Sequence, residues 1–175
     1  MKKNLQGFPL QKGFSLIELL IAVVILGIIL AIAVPNMLAA RRAANEGSAI
    51  ATMRTLHGAQ STYHASFGHG SYAGTISSTG DIAGLVDLHS NRLIDDSLAT
   101  GTKSGYNFAG AVTEPTATTP ATFFFSANPV STTGVTQSGT RRFGITQSGV
   151  IGYDFGSISV VYDETTVLSA LPINN

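Results

Sequence analysis

The chain has 175 residues, enough for one globular domain and an accessory segment, and only 11% are charged, against roughly 25% in an ordinary soluble domain. It contains no cysteine, which excludes disulfides, thiolate metal sites and a cysteine nucleophile. The formal net charge is zero, and removal of the three lysines before Phe14 leaves seven basic against ten acidic residues, which argues against general attraction to nucleic acid or anionic lipid.

The first predicted element is the apolar run FSLIELLIAVVILGIILAIAV, from Phe14 to Val34, with Glu18 as its one charge. As a helix it would be about 30 Å long, enough to cross a bilayer core. Three interpretations compete: a secretory signal peptide cut after Ala31–Ala33, a plain anchor, and a class III signal cut before the helix. The run exceeds the usual ~7–15 residues of a signal peptide and contains an acid. A plain membrane anchor would not explain why the charged residue Glu18 lies in the apolar run.

The junction KGFSLIELLIAVVILGIILAIAVP closely resembles the leader junction of type IV pilins and of the pseudopilins of type II secretion. In that family a short basic leader ends in Gly, here Gly13, and the mature chain begins with an N-methylated Phe, here Phe14. An acid occupies the fifth mature position, here Glu18, and a proline often follows the apolar run, here Pro35. The resemblance implies cleavage between Gly13 and Phe14, methylation of Phe14, and a helix kink at Pro35 rather than a stop.

Glu18 has two candidate roles. Cleavage would expose an α-amino group on Phe14, whose ordinary pKa of roughly 7.7–8.0 keeps it mostly cationic at neutral pH. In a staggered assembly this cation meets Glu18 of another subunit, and because an unpaired charge in low dielectric is costly, the pair sets the register. The alternative is that Glu18 caps the first turn of its own helix, where an acid complements the helix dipole.

The pattern after Pro35 predicts that the helix continues to about Phe67. Apolar residues at helical spacing define one face, formed by Ile50, Met53, Leu56, Tyr63 and Phe67. The glycine- and serine-rich stretch 68–80 ends the helix. The segment after it predicts a short helix with Asp81 as its N-cap.

The remainder predicts an antiparallel sheet. Strands are expected at 103–112 and at 121–130. A hairpin is expected at 141–155, with its turn at Gln147–Gly149, and residues 158–168 are expected to add an edge strand. The segments GTKSGYNF and RRFGITQSGVIGYD are similar to head strands of pseudopilins and of cysteine-free pilins.

The predicted fold is therefore α+β, with a long amino-terminal helix packed on a small antiparallel β-sheet head. The first half of that helix is predicted to span the membrane and the second half to be amphipathic. The expected domain organisation is a removed leader (1–13), a transmembrane and assembly helix (14–35), an amphipathic helix (36–67), a connection with a short helix (68–102) and the sheet head (103–175).

Few residues in the head suggest chemistry. The histidines lack metal-ligand spacing, and Asp154, Asp163 and Glu164 lie in no spaced acidic motif for calcium, so no metal and no cofactor are expected. Arg141 and Arg142 are expected to be exposed on a strand, with phosphate contact as the alternative. No nucleophile–base pair is visible, so an enzyme is not expected. The four histidines are His57, His64, His69 and His89.

The resemblance implies a structural subunit, a pilin of a type IV pilus-like extracellular filament. The chain would be processed by prepilin peptidase, held in the inner membrane, and stacked by the inner-membrane assembly machinery into a helical homopolymer on the cell surface. Two alternatives stay open: a pseudopilin that remains in the periplasm, and a minor tip pilin whose head binds DNA or a surface. Nucleic acid is otherwise not expected as a partner.

Overall fold

The computed structural model describes residues 13–77, 80–155 and 164–173 of the chain. The chain divides into two units, Met1–Leu38 and Ala39–Asn175. One helix, α1 (Leu16–Ser66), supplies residues to both. Its bounds confirm the predicted long amino-terminal helix to within two residues at the start and one at the end.

The first unit contains the apolar part of α1. All described side chains of this part, from Phe14 through Met37, are exposed. By length and composition this helix is able to cross a membrane. The helical assignment continues through Pro35, so this proline is not a helix stop.

The second unit contains the rest of α1 and an antiparallel sheet. Three short helices accompany them within the described residues: α2 (Ala83–Ser90), α3 (Asp96–Ala99) and α4 (Glu164–Ser169). The strands pair in chain order, each antiparallel to the next. They are β1 (Thr102–Lys103), β2 (Tyr106–Thr113), β3 (Thr122–Pro129), β4 (Arg142–Thr146), β5 (Ile151–Asp154) and β6 (Leu171–Pro172). The predicted α+β class is confirmed.

The core explains the run of three phenylalanines in β3. Successive strand residues point to opposite faces of a sheet. Phe123 and Phe125 therefore join the main core with Met53 and Leu56 of α1, while Phe124 lies in a smaller cluster on the other face. Because β3 is covered on both faces, its three phenylalanines follow one another instead of alternating with polar residues.

The predicted strand at 103–112 is wrong at one point, where a turn divides it into β1 and β2. Lys103 pairs with Tyr106 across a two-residue loop, Ser104–Gly105, in which both residues have positive φ, 49° and 75°. Positive φ at both loop positions is the type I′ geometry that suits the twist of a tight hairpin. Only the part from Tyr106 onward continues across the sheet.

The predicted edge strand at 158–168 is wrong over its described part. Residues 164–168 lie in α4, and 156–163 lie outside the described residues. Threonine and valine favour strands, which motivated the prediction. In the structure Val167 of α4 is buried against Ala111 and Phe124, and this packing outweighs the local preference.

Two further expectations are corrected at the ends of helices. Phe67 lies just beyond α1 and is 46% exposed, so it does not belong to the core face. Asp81 is not the N-cap of α2, a position held by Ile82, but its carboxylate accepts a hydrogen bond from Ala83 N at 2.8 Å. The acid therefore still satisfies a free amide of the first turn.

Candidate functional site

The predicted cleavage site lies immediately before α1. Gly13 and Phe14 precede the first helical residue, and the Phe14 side chain is 86% exposed. A Cβ added at Gly13 would meet nothing within 4 Å, and its φ lies outside the region that favours glycine. The described fold therefore gives no reason for a glycine at this position.

Glu18 lies in the first turn of α1 and forms a local contact. Its Oε2 accepts a hydrogen bond from the backbone N of Ser15 at 3.2 Å. Ser15 directly precedes the helix and Glu18 is its third residue, which is the spacing of a capping box. The capping role considered from the sequence is thus geometrically available in a single chain. Within the described residues, Oε1 of this carboxylate has no hydrogen-bond donor.

A polar cluster that sequence reasoning missed joins α1 to the loop before β4. Oε1 of Glu46 accepts hydrogen bonds from Thr140 N at 2.8 Å and from Thr140 Oγ1 at 2.7 Å. Oε2 of Glu46 accepts one from Arg141 Nε at 2.8 Å. Burial acts to raise the pKa of Glu46, but the bonds from Thr140 and Arg141 outweigh it and hold the pKa below its ordinary value.

The expectation of exposed arginines on this strand is wrong for Arg142. Its side chain is buried, and Nη2 contacts Asp154 Oδ2 at 2.6 Å. Arg141 is half-buried and pairs with Glu46. The partner of Arg142 is 12 residues away in the sequence and that of Arg141 is 95 residues away. Such distant ion pairs could be found only from the structure.

The remaining candidate ligands do not converge. His57 Nε2 lies 3.3 Å from the Gln147 carbonyl, and the His64 ring packs on Tyr72 with centroids 4.7 Å apart. Of the acids considered for calcium, Asp154 is paired with Arg142 and Asp163 lies outside the described residues. In the part of the chain that the structure describes, no group of three histidine or acidic residues is placed to hold a metal.

Comparison with known proteins gives matches for the amino-terminal segment. Residues 9–34 match the model of the family described as the prokaryotic N-terminal methylation motif. The matched range includes Gly13, Phe14 and Glu18. A curated relative, the type IV wide pilus major component PilA4 of Thermus thermophilus, is 57% identical over 35 residues. These are 20% of this chain and 27% of that protein, so the match spans about a quarter of the relative's length. No solved structure matches the chain at a significant level. The similarity is confined to the amino-terminal segment, which matches the prokaryotic N-terminal methylation motif and resembles the start of a type IV pilus component.

Proposed function

We propose that this chain is the structural subunit of a type IV pilus-like extracellular filament. Prepilin peptidase cuts between Gly13 and Phe14, and Phe14 is N-methylated. The apolar part of α1 then holds the subunit in the inner membrane until the assembly machinery adds it to a helical homopolymer. The observation that carries the proposal is a helix whose apolar residues are exposed from Phe14 to Val34, with one carboxylate among them.

The apolar surface supplies the association energy in this proposal. The large apolar side chains between Phe14 and Val34 are 48% to 86% exposed in the single chain. Burying one such side chain fully is worth about 1.5–3 kcal/mol, so lipid before assembly and neighbouring helices after it stabilise this segment strongly. Apolar contact is insensitive to a sliding of one helix along another, and register therefore needs a directional interaction.

Glu18 supplies that interaction. Capping engages Oε2 with Ser15 N, and a carboxylate accepts hydrogen bonds through both oxygens, so the cap leaves Oε1 for the Phe14 ammonium of a neighbouring subunit. A misplaced neighbour leaves both charges unpaired in an apolar bundle, which costs far more than loss of a surface ion pair. The cap and the register pair are thus compatible in one residue.

Two substitutions at this position separate the roles. Glu18→Gln keeps an oxygen that caps Ser15 N but removes the charge, whereas Glu18→Ala removes both. We expect both variants to lower the yield of sheared filaments, counted by electron microscopy, by at least about tenfold. Mass spectrometry of the membrane fraction should show both variants starting at methylated Phe14, which separates assembly from processing.

The control for this experiment is Glu114→Gln, the same chemical change on an exposed head residue that accepts a hydrogen bond from Ser71 Oγ. This control should assemble like the wild type. Normal filaments from Glu18→Gln, with loss only in Glu18→Ala, would show that the cap suffices and would refute the register pair.

The same micrographs separate the alternatives within the family. A pseudopilin at normal expression should yield no long fibres on sheared cells. Support for a DNA-binding tip pilin rested on Arg141 and Arg142, and both side chains form ion pairs within the head. The filament subunit is therefore the function that the described residues support best.

A further inference from the structure

A cleft of about 390 Å³ is lined by residues of the second unit. It is formed by the second half of α1, the connection between α2 and α3, α3 itself, and β1. Its volume falls in the range of small-ligand sites, roughly 300–1,000 Å³. Polar and apolar groups both line it, among them Thr52, Arg92, Leu93, Asp95, Leu98 and Lys103.

Arg92 occupies a backbone position at which glycine is usual. α2 ends in a Schellman motif, in which Leu93 N donates to Leu88 O at 3.0 Å and Arg92 N donates to His89 O at 2.8 Å. Arg92 is the left-handed residue of this motif, with φ of 59°. A side chain there carries a steric cost that glycine avoids. An arginine in this strained backbone conformation is therefore a candidate for a functional side chain.

The other charges in the cleft are already satisfied. Lys103 Nζ contacts Asp95 Oδ2 at 2.7 Å, and Asp95 Oδ1 accepts a hydrogen bond from Leu98 N at 2.9 Å. The hydrogen bond from Lys103 also holds the pKa of Asp95 below its ordinary value, so this acid stays ionised at neutral pH. The charges of Lys103 and Asp95 therefore cancel, and Arg92 gives the cleft a net charge of one positive unit.

Two polar groups remain without partners at the cleft. Within the described residues, the Arg92 side chain forms no ion pair and no hydrogen bond, and the Thr52 hydroxyl forms no hydrogen bond although Thr52 is only 6% exposed. By contrast, Thr55 Oγ1 of the same wall donates to Ala51 O at 3.2 Å. The Thr52 hydroxyl is not among the fully buried unpartnered atoms of the described residues, so at the cleft wall it is accessible as a donor to a ligand.

We propose that this cleft binds a small organic monocarboxylate. The Arg92 guanidinium pairs with the carboxylate through two parallel N–H donors, and Thr52 Oγ1 donates a third hydrogen bond. The aliphatic part of the ligand lies on Leu93 and Leu98. A dianion such as phosphate is disfavoured because Asp95 stands in the same cleft and only one unit of positive charge is uncompensated. This site does not depend on the proposed filament function.

Ligand-observed NMR on the full chain in a neutral detergent tests the ligand class. The probes are butyrate, its uncharged analogue butyramide, and inorganic phosphate, each titrated at neutral pH. Butyrate should bind saturably, with butyramide and phosphate at least about tenfold weaker. Non-saturable butyrate signals, or tighter binding of phosphate than of butyrate, would overturn the assignment.

Arg92→Gly tests the site with an unusual combination of effects. Because glycine relieves the left-handed strain, the variant should unfold at a higher denaturant concentration while its butyrate affinity falls at least about tenfold. His69→Gly is the matched control, since His69 is also a non-glycine residue with positive φ, 48°, and does not line the cleft. The His69→Gly variant should gain stability and keep full affinity for butyrate.

Thr52→Val is an independent test of the cleft and should lower the affinity for butyrate a few-fold. Unchanged affinity in both Arg92→Gly and Thr52→Val would refute the site.

Discussion

The two halves of α1 share one backbone conformation and differ in what satisfies their side chains. From Phe14 to Val34 the side chains are exposed, and the side chain of Glu18 makes a local contact by accepting a hydrogen bond from Ser15 N. From Glu46 to Gln60 one face is buried, and its polar groups bond to distant segments, as Glu46 does with Thr140 and Gln60 with Ala73. The difference teaches that the second half is completed within its own chain, whereas the apolar side chains of the first half lie exposed against none of the described residues.

The largest expected effect separates the two halves by stability. Phe125 is 1% exposed in the core of the head, so Phe125→Ala should lower the free energy of unfolding by about 3–5 kcal/mol. Leu20 in the first half is 56% exposed, and Leu20→Ala should leave head unfolding unchanged. All five tyrosines follow residue 62, so tyrosine fluorescence during urea titration reports on the head. An equal loss in both variants would contradict the separation.

The next effect concerns the predicted hinge at Pro35. A proline in a helix interior is about 3 kcal/mol less favourable than alanine, partly because it cannot donate to the carbonyl four residues before, here that of Ala31. Pro35→Ala should therefore slow amide hydrogen exchange around residues 31–40 in detergent. Ala33→Leu, a change without a new donor, is the control and should leave exchange unaltered. Equal exchange in wild type and Pro35→Ala would argue against a hinge.

The smallest effect is the pH dependence of the Glu46 cluster. At pH 7, Glu46→Gln should cost about 2 kcal/mol, because it replaces charge-assisted hydrogen bonds by neutral ones. The pKa of Glu46 in the folded chain lies below its ordinary value of 4.5, so the carboxylate stabilises the head above that pH. This contribution is lost as the pH falls through the folded pKa. The stability gap between wild type and variant should therefore close below pH 4.5.

The control for the Glu46 experiment is again Glu114→Gln, whose carboxylate is exposed and accepts from the Ser71 hydroxyl. Its unfolding should follow the wild type over the same pH range. A gap for Glu46→Gln that persists undiminished well below pH 4.5 would show that the loss is one of packing rather than of charge.

Regular patterns in the sequence predicted much of the fold. The apolar run and the helical spacing after Pro35 predicted α1, and β3 and the hairpin of β4 and β5 follow from their apolar and turn residues. The secondary-structure predictions were wrong where a tertiary contact outweighed the local strand preference, and where a tight turn interrupted a predicted strand. Thr165 to Val167 favour a strand but lie in a helix that packs on the sheet, and the Ser104–Gly105 dipeptide is a turn signal inside an apparently continuous strand.

The two candidate sites differ in how far the sequence predicts them. The amino-terminal segment is contiguous, so the roles of Gly13, Phe14 and Glu18 could be predicted from its resemblance to the pilin leader junction. The cleft around Arg92 joins residues from four separate stretches, and the left-handed φ of Arg92 has no sequence signal, since the residue that normally marks it is glycine. Such a site becomes visible only when the backbone is known.

The short length of the two edge strands limits how the sheet could pair with strands of other molecules. In the described residues the sheet terminates in β1 and β6, each two residues long, and β6 contains Pro172, which has no amide hydrogen to donate. Edges this short offer almost no template on which a foreign strand could grow. In the filament proposed above, heads packed side by side would therefore find little open backbone through which to pair, and growth would be confined to the helices.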